Sequence, residues 1–296
     1  MGRNLIVAQS GGPSAAINAT LAGVIAAAQE AGEVGRVYGG LHGIEGIQAG
    51  KIVDLTGFSD FERLKATPAM ALGSCRCKLP PVEERDAEIY RRLREIFADY
   101  DIGYFLYIGG NDSMDTVYKL SRLFAGEEDA PVFMGVPKTI DNDLPLTDHT
   151  PGYGSAARYL AITMSEIIQD TAIYNVPAVT IVEIMGRNAG WLTLAAGMPR
   201  FTGGMKPDII AIPEVPFDED AFIRQVREGL RHTPNIVAAV SEGLRDKNGD
   251  YVGSSAKSGA VDVFGHAYLS GVGKYLEGLV KRQIGCKVRS IEVNLM

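Results

Sequence analysis

Five short segments gather the side chains and glycines that could do chemistry. The first is Ser10-Gly11-Gly12-Pro13-Ser14, set between an apolar run and a helical one. Glycine lets a backbone come close to an anion, and a helix N-terminus offers free N–H donors. No Gly-Lys-Ser/Thr follows, and the G-x-G-x-x-G pattern is absent. The second is Gly109-Gly110-Asn111-Asp112-Ser113. Asp112 and Ser113 suit a helix cap, the better reading of one such loop by itself; two glycine-rich helix starts favour a phosphate cradle. The third, Pro137-Lys138-Thr139-Ile140-Asp141-Asn142-Asp143, holds two carboxylates, an amide, a hydroxyl and a lysine. One carboxylate can take a proton from a sugar hydroxyl, and another can hold Mg²⁺ directly or through water. The lysine can neutralise charge on a moving phosphoryl group. A polar surface turn has the same composition. The fourth, Met185-Gly186-Arg187-Asn188-Ala189-Gly190, offers an arginine for phosphate or sugar oxygens, or for a surface ion pair. In the fifth, Ser241-Glu242-Gly243, Glu242 either accepts hydrogen bonds from sugar hydroxyls or begins a turn.

These segments follow apolar runs that read as strands: Asn4–Gln9, Arg36–Tyr38, Lys51–Leu55, Gly103–Ile108, Val132–Gly135, Ala178–Ile184, Asp208–Ile212 and Ile236–Val240. The runs are continuous rather than alternating, which predicts strands buried on both faces. Helices are predicted over Ala15–Ala31, Val82–Asp99, Ser113–Phe124, Ser155–Thr171, Ala189–Gly197, Glu219–Arg231 and Ala267–Arg282. Strand, helix, strand alternation predicts an α/β fold of two lobes, each a largely parallel sheet flanked by helices. In such sheets ligands bind beyond the carboxyl ends of the strands, where the five segments fall. Glycine and proline punctuation over Pro145–Gly154 places the lobe boundary, giving lobes of 1–152 and 153–296.

The 29 basic and 36 acidic residues leave a net charge of −7, which argues against a general nucleic-acid or anionic-membrane surface. Apolar runs fall short of a membrane span, and the start does not read as a signal peptide. Three cysteines, a Cys75-Arg76-Cys77 pair and Cys286, do not supply a four-ligand zinc site, and reduced thiols in a cytoplasmic protein are expected. His42, His149, His232 and His266 are scattered without metal or triad spacing. The sequence stops at Val293-Asn294-Leu295-Met296, inside an apolar run that reads as a strand, as a fragment or a trimmed chain would.

From about Asn4 to Met296 the ordered set of motifs resembles the phosphofructokinases. The Ser-Gly-Gly loop, the Gly-Gly-Asn-Asp loop, Thr139-Ile140-Asp141-Asn142-Asp143 and Met185-Gly186-Arg187 carry the resemblance. It implies transfer of a phosphoryl group to the 1-hydroxyl of fructose 6-phosphate, with Mg²⁺ as cofactor. It implies Asp141 as the base and Asp143 as a second-sphere partner of Mg²⁺. Gly11, Gly12, Arg76, Gly110, Asp112 and Ser113 fall at the phosphoryl donor, with Lys138 and Thr139 beside the reaction. Thr139, Asp141, Met185, Gly186, Arg187, Glu242 and Arg289 fall at the sugar phosphate. Asp112 and Lys138 stand where ATP-dependent members carry glycine, which implies pyrophosphate as donor. ATP use and an inactive truncated paralogue that only binds sugar phosphate are the alternatives; related lipid and NAD kinases share a similar glycine loop but lack Met185-Gly186-Arg187. Asn111 replaces an aspartate that binds the metal in many members. Ala178 replaces an arginine that compact members extend into a neighbour's site; a homodimer is the expected assembly. Asp262-Val263-Phe264-Gly265-His266 resembles the longer pyrophosphate-dependent lineages.

Overall fold

The computed structural model describes residues 2–253 and 271–293, and the chain divides into two compact units, Met1–Thr139 and Ile140–Met296. In the first unit the order is β1 (Asn4–Gln9), α1 (Ile17–Glu30), β2 (Val37–Gly40), α2 (Gly43–Gln48), β3 (Ile52–Asp54), α3 (Phe61–Ala66), α4 (Glu88–Asp99), β4 (Ile102–Gly109), α5 (Asn111–Leu123) and β5 (Val132–Pro137). The sheet order is β3-β2-β1-β4-β5. All neighbours are parallel except β3, which runs antiparallel to β2. Central β1 is buried from Leu5 to Gln9, as its unbroken apolar run requires. Edge strand β5 departs from the expectation of burial on both faces. Phe133 stacks against Phe97, Phe105 and Phe124, while Val132 and Met134 on the other face are about half exposed.

The second unit runs α6 (Tyr153–Ala172), β6 (Ala178–Ile184), α7 (Trp191–Ala195), a 3₁₀ turn (Met198–Thr202), β7 (Ile209–Ala211), α8 (Glu219–Gly229), β8 (Asn235–Ser241), α9 (Val272–Gln283) and β9 (Lys287–Val293). Its sheet, in the order β7-β8-β6-β9, is parallel throughout. Each face has its own core. Phe222, Val226, Leu276 and Val280 from α8 and α9 cover one, and Leu160, Met164, Ile168 and Leu192 from α6 and α7 cover the other. The i, i+4 spacing of the α6 residues makes the single stripe that a sheet-covering helix needs.

The units divide at Thr139–Ile140, ahead of the 152/153 boundary read from the punctuation, because Ile140 already packs on the α6 core. The glycines there serve α6 instead: Gly152 takes φ +104° at its N-cap, a conformation open to glycine. Helix α4 starts at Glu88 rather than Val82, since turns closed by Glu84 N–H to Pro81 O and Ala87 N–H to Glu84 O occupy the preceding residues. The Asp262–His266 motif and the expected first turn of the helix from Ala267 lie outside the described residues. Among the described residues, no helix is long and apolar enough to cross a membrane.

Candidate active site

Strands β1, β4 and β5 are adjacent and parallel, so the loops that follow them leave from one edge of the first sheet. Backbone bonds fix the three loops to one another. Ser10 N–H donates to Ile108 O at 3.0 Å, and Lys138 N–H donates to Gly109 O at 2.9 Å. The Ser10 and Ser113 hydroxyls lie 2.5 Å apart. A Cβ on Gly109 would fall 2.0 Å from Ser113 Oγ, so that close approach requires glycine. Gly11 holds φ +83°, and a Cβ on Gly12 would lie 4.0 Å from Lys138 Nζ. Gly11, Gly12, Gly110, Ser113 and Lys138 therefore converge, and Lys138 is only 8% exposed.

Capping does not explain Asp112 and Ser113. Gly110 is the N-cap of α5, which begins at Asn111, so both residues stand in its first turn and Ser113 turns to Ser10. The first-turn N–H groups of a helix are those available to an anion. Asp112 Oδ1 lies 4.0 Å from Lys78 Nζ. Arg76 is exposed, and the segment before it is tied to the first loop and α1 by side-chain bonds. Gln9 Oε1 accepts from Leu72 N–H at 3.0 Å, Asn18 Oδ1 accepts from Ala71 N–H at 2.8 Å, and Ser74 Oγ donates to Gly11 O at 2.7 Å. Sequence reasoning missed Gln9, Asn18, Ser74 and Lys78. The one signal was Gln9 itself, an amide ending an apolar strand, and it is fully buried.

In the second unit, β6 and β8 end side by side, with Ile184 in register with Ser241. Gly186 N–H donates to Glu242 Oε1 at 3.2 Å, Glu242 N–H donates to Ile184 O at 2.9 Å, and Ser241 Oγ donates to Gly186 O at 2.6 Å. A Cβ on Gly243 would fall 2.0 Å from Arg187 O. Gly186, Arg187 and Glu242 are thus one constellation. Burial pushes the Glu242 carboxyl above its ordinary value, against the Gly186 N–H and the Arg187 charge, which favour the anion. Met185 packs on the same core as Ile140, the residue before Asp141. Asp141 and Asp143 flank Asn142, which is 7% exposed and left-handed at φ +57°. Thr139 closes the first unit, half-buried.

Arg289 does not join this group within the chain. It pairs with Thr180 in the β9–β6 register, whereas Ile184 pairs with Val293. Four positions of strand, about 13 Å, separate it from the edge that carries Gly186. Its guanidinium bonds Asp170 at 2.8 Å and Thr180 at 3.1 Å instead. Pairing with Thr180, near the start of β6, follows from β9 running parallel to β6.

Among the described residues no group of three or more histidine, cysteine or acidic side chains could hold a metal. Asn111 in the first unit and Asp143 in the second each offer a hard oxygen donor. That suits Mg²⁺, which is bound through one or two carboxylates and substrate phosphates rather than an all-protein cage.

Residues 4–292 match the family model described as Phosphofructokinase. A pyrophosphate–fructose 6-phosphate 1-phosphotransferase of Halomonas elongata is 40% identical over 289 residues, covering 96% of this chain and 68% of that protein. One from Xanthomonas campestris is 43% identical over the same length and shares. The crystal structure of a pyrophosphate-dependent phosphofructokinase from Nitrosospira multiformis superposes with a TM-score of 0.80 at 35% identity, covering 99% of this chain and 69% of that one.

Proposed function

We propose, from the premise that this chain belongs to the phosphofructokinase family, that it transfers a phosphoryl group from pyrophosphate to the 1-hydroxyl of fructose 6-phosphate. The products are fructose 1,6-bisphosphate and orthophosphate, and the reaction runs in both directions. The observation that carries the donor choice is Lys138, buried with its ammonium beside Gly12 in the loop cluster of β1, β4 and β5. A desolvated cation suits a small, highly charged donor. Asp112, in the first turn of α5, fills space and adds negative charge where a nucleotide would need room.

The first unit is assigned the donor, through Gly11, Gly12, Arg76, Gly110, Asp112, Ser113 and Lys138. The second is assigned the sugar phosphate, through Met185, Gly186, Arg187 and Glu242, with Thr139 and Asp141 at the reacting hydroxyl. The C1 oxygen attacks one phosphorus of pyrophosphate, the bridging P–O bond breaks, and Asp141 takes the hydroxyl proton. In reverse the same carboxyl returns the proton. Glu242, already holding Gly186 N–H, offers its other oxygen to a sugar hydroxyl. Asn111 and Asp143 are the donors assigned to Mg²⁺, which when bound shields charge on the phosphates. A homodimer accounts for Arg289: set at the far end of its own sheet from Gly186, it suits a sugar phosphate held by a second copy. A cytoplasmic location agrees with three free cysteines.

The test is fructose 1,6-bisphosphate formation measured side by side with pyrophosphate and with ATP. Turnover with pyrophosphate and little with ATP is expected; equal or faster turnover with ATP overturns the donor assignment.

A further inference from the structure

Asn142 stands between the two carboxylates assigned to the reaction, and its own environment is tightly constrained. It is 7% exposed and left-handed at φ +57°, a region that asparagine enters more readily than other residues with a Cβ. Its side-chain amide spans the loop that follows: Nδ2 donates to Asp148 O at 3.0 Å, and Oδ1 accepts from Thr150 N–H at 2.9 Å. Thr150 is itself 3% exposed, so this second bond is sheltered from water.

In extended chain, residues two apart share a face. Asp141 and Asp143 would then project side by side from one face. A left-handed residue between them breaks that alternation, and a buried clamp to residues 148 and 150 holds the break in place. The two carboxylates are then directed apart, as separate roles at the sugar hydroxyl and at the cation require.

We propose that Asn142 is a positioning residue for phosphoryl transfer, its left-handed backbone and its amide clamp together holding Asp141 and Asp143 in their working arrangement. The proposal rests on the roles assigned above to those two carboxylates. Misplacing a catalytic group by about 1 Å costs on the order of 10²-fold in rate. Turnover should therefore suffer, while binding of fructose 6-phosphate through Arg187 and Glu242 is spared.

Two substitutions separate the backbone from the clamp. Asn142→Gly loses both hydrogen bonds but enters the left-handed region freely; Asn142→Ala loses the same bonds and resists it. At a left-handed position glycine is also the more stable of the two, because alanine is strained there. Positioning is therefore read from kcat of the folded variants, below both thermal midpoints, and from its split from fructose 6-phosphate affinity. The expected result is kcat lowered about 10-fold in Asn142→Gly and about 10²-fold in Asn142→Ala. Fructose 6-phosphate affinity, read by calorimetry without metal, should stay within about 3-fold of the parent, the loss being in turnover rather than uniform binding. Parent-like kcat in the glycine variant, or a loss of sugar affinity as large as the loss of kcat, overturns the proposal. If the alanine variant does not fold, the glycine variant decides alone. Asp141→Ser, assayed in parallel, reads the underlying assignment. Near-normal turnover there removes Asp141 as the base. A loss of at least about 10²-fold there, beside a parent-like Asn142→Gly, removes the positioning role alone.

Discussion

Replacing Lys138 by methionine tests the donor cradle at its most buried charge. Methionine keeps the length and apolar stem of lysine, and the backbone bond from residue 138 to Gly109 O is independent of the side chain. The residue is 8% exposed, a depth that suits the apolar side chain of methionine. What disappears is the ammonium near Gly12. A hydrogen bond to a charged group contributes about 1.5–3 kcal/mol. At 1.36 kcal/mol per factor of ten, that is a loss of roughly 10- to 160-fold in kcat/KM for pyrophosphate. If the ammonium acts mainly on charge that develops as the phosphoryl group moves, the loss falls in kcat and reaches about 10²–10³-fold. The assay is the initial rate of fructose 1,6-bisphosphate formation with pyrophosphate varied at saturating sugar phosphate. The thermal midpoint confirms that the variant is folded. A kcat/KM for pyrophosphate within about 3-fold of the parent would refute the reasoning, because a desolvated cation beside a multiply charged donor cannot be that cheap to lose.

Two further outcomes follow from the second unit. Arg187→Ala should raise the KM for fructose 6-phosphate roughly 10- to 160-fold by the same arithmetic, with a smaller change for pyrophosphate; a larger change in the pyrophosphate constant would put Arg187 in the wrong site. Glu183, buried in β6, accepts N–H bonds from Gly271 and Gly273 at the start of α9, and burial pushes its carboxyl above the ordinary 4.5 despite those bonds. A raised folded value means that the native state holds the proton more tightly, so the group's contribution is full below about 4.5 and is lost as pH rises through the folded value. The urea midpoint of the parent should therefore fall relative to that of Glu183→Gln as pH is raised through this window, and parallel profiles would show that the site does not titrate there.

Much of this architecture was legible in the sequence, for reasons that differ by element. Strands β1, β4, β6 and β8 show because burial on both faces demands unbroken apolar runs. Of β9 only the end, at Val293, was legible as part of a strand, because Lys287, Arg289 and Glu292, all exposed, interrupt the pattern before it. Helices α2 and α3, six residues each, are too short to reveal a 3.6-residue period. In the site, the glycine loops, Lys138, Arg187 and Glu242 announce themselves by residue type. The Gln9–Asn18 network does not, because its partners are backbone groups at Thr67, Ala71 and Leu72, and any residue supplies those. Arg289 was placed at the sugar by motif, and motif carries no information about which end of a strand a residue occupies.

Strand direction is also why the chemistry gathers as it does. In a parallel sheet every strand points the same way, so all C-terminal loops leave one edge and all N-terminal approaches arrive at the other. Residues 10–14, 110–113 and 138 are far apart in sequence, yet β1, β4 and β5 deliver them to one edge of the first sheet. β6 and β8 do the same for Arg187 and Glu242. A side chain early in a strand is excluded by the same geometry, however suitable its charge. Arg289 sits on β9 opposite Thr180, and its bond to Asp170, near the end of α6, marks the edge at which chain direction leaves it. Residue type therefore selects the candidates, but strand direction decides which of them can share a ligand.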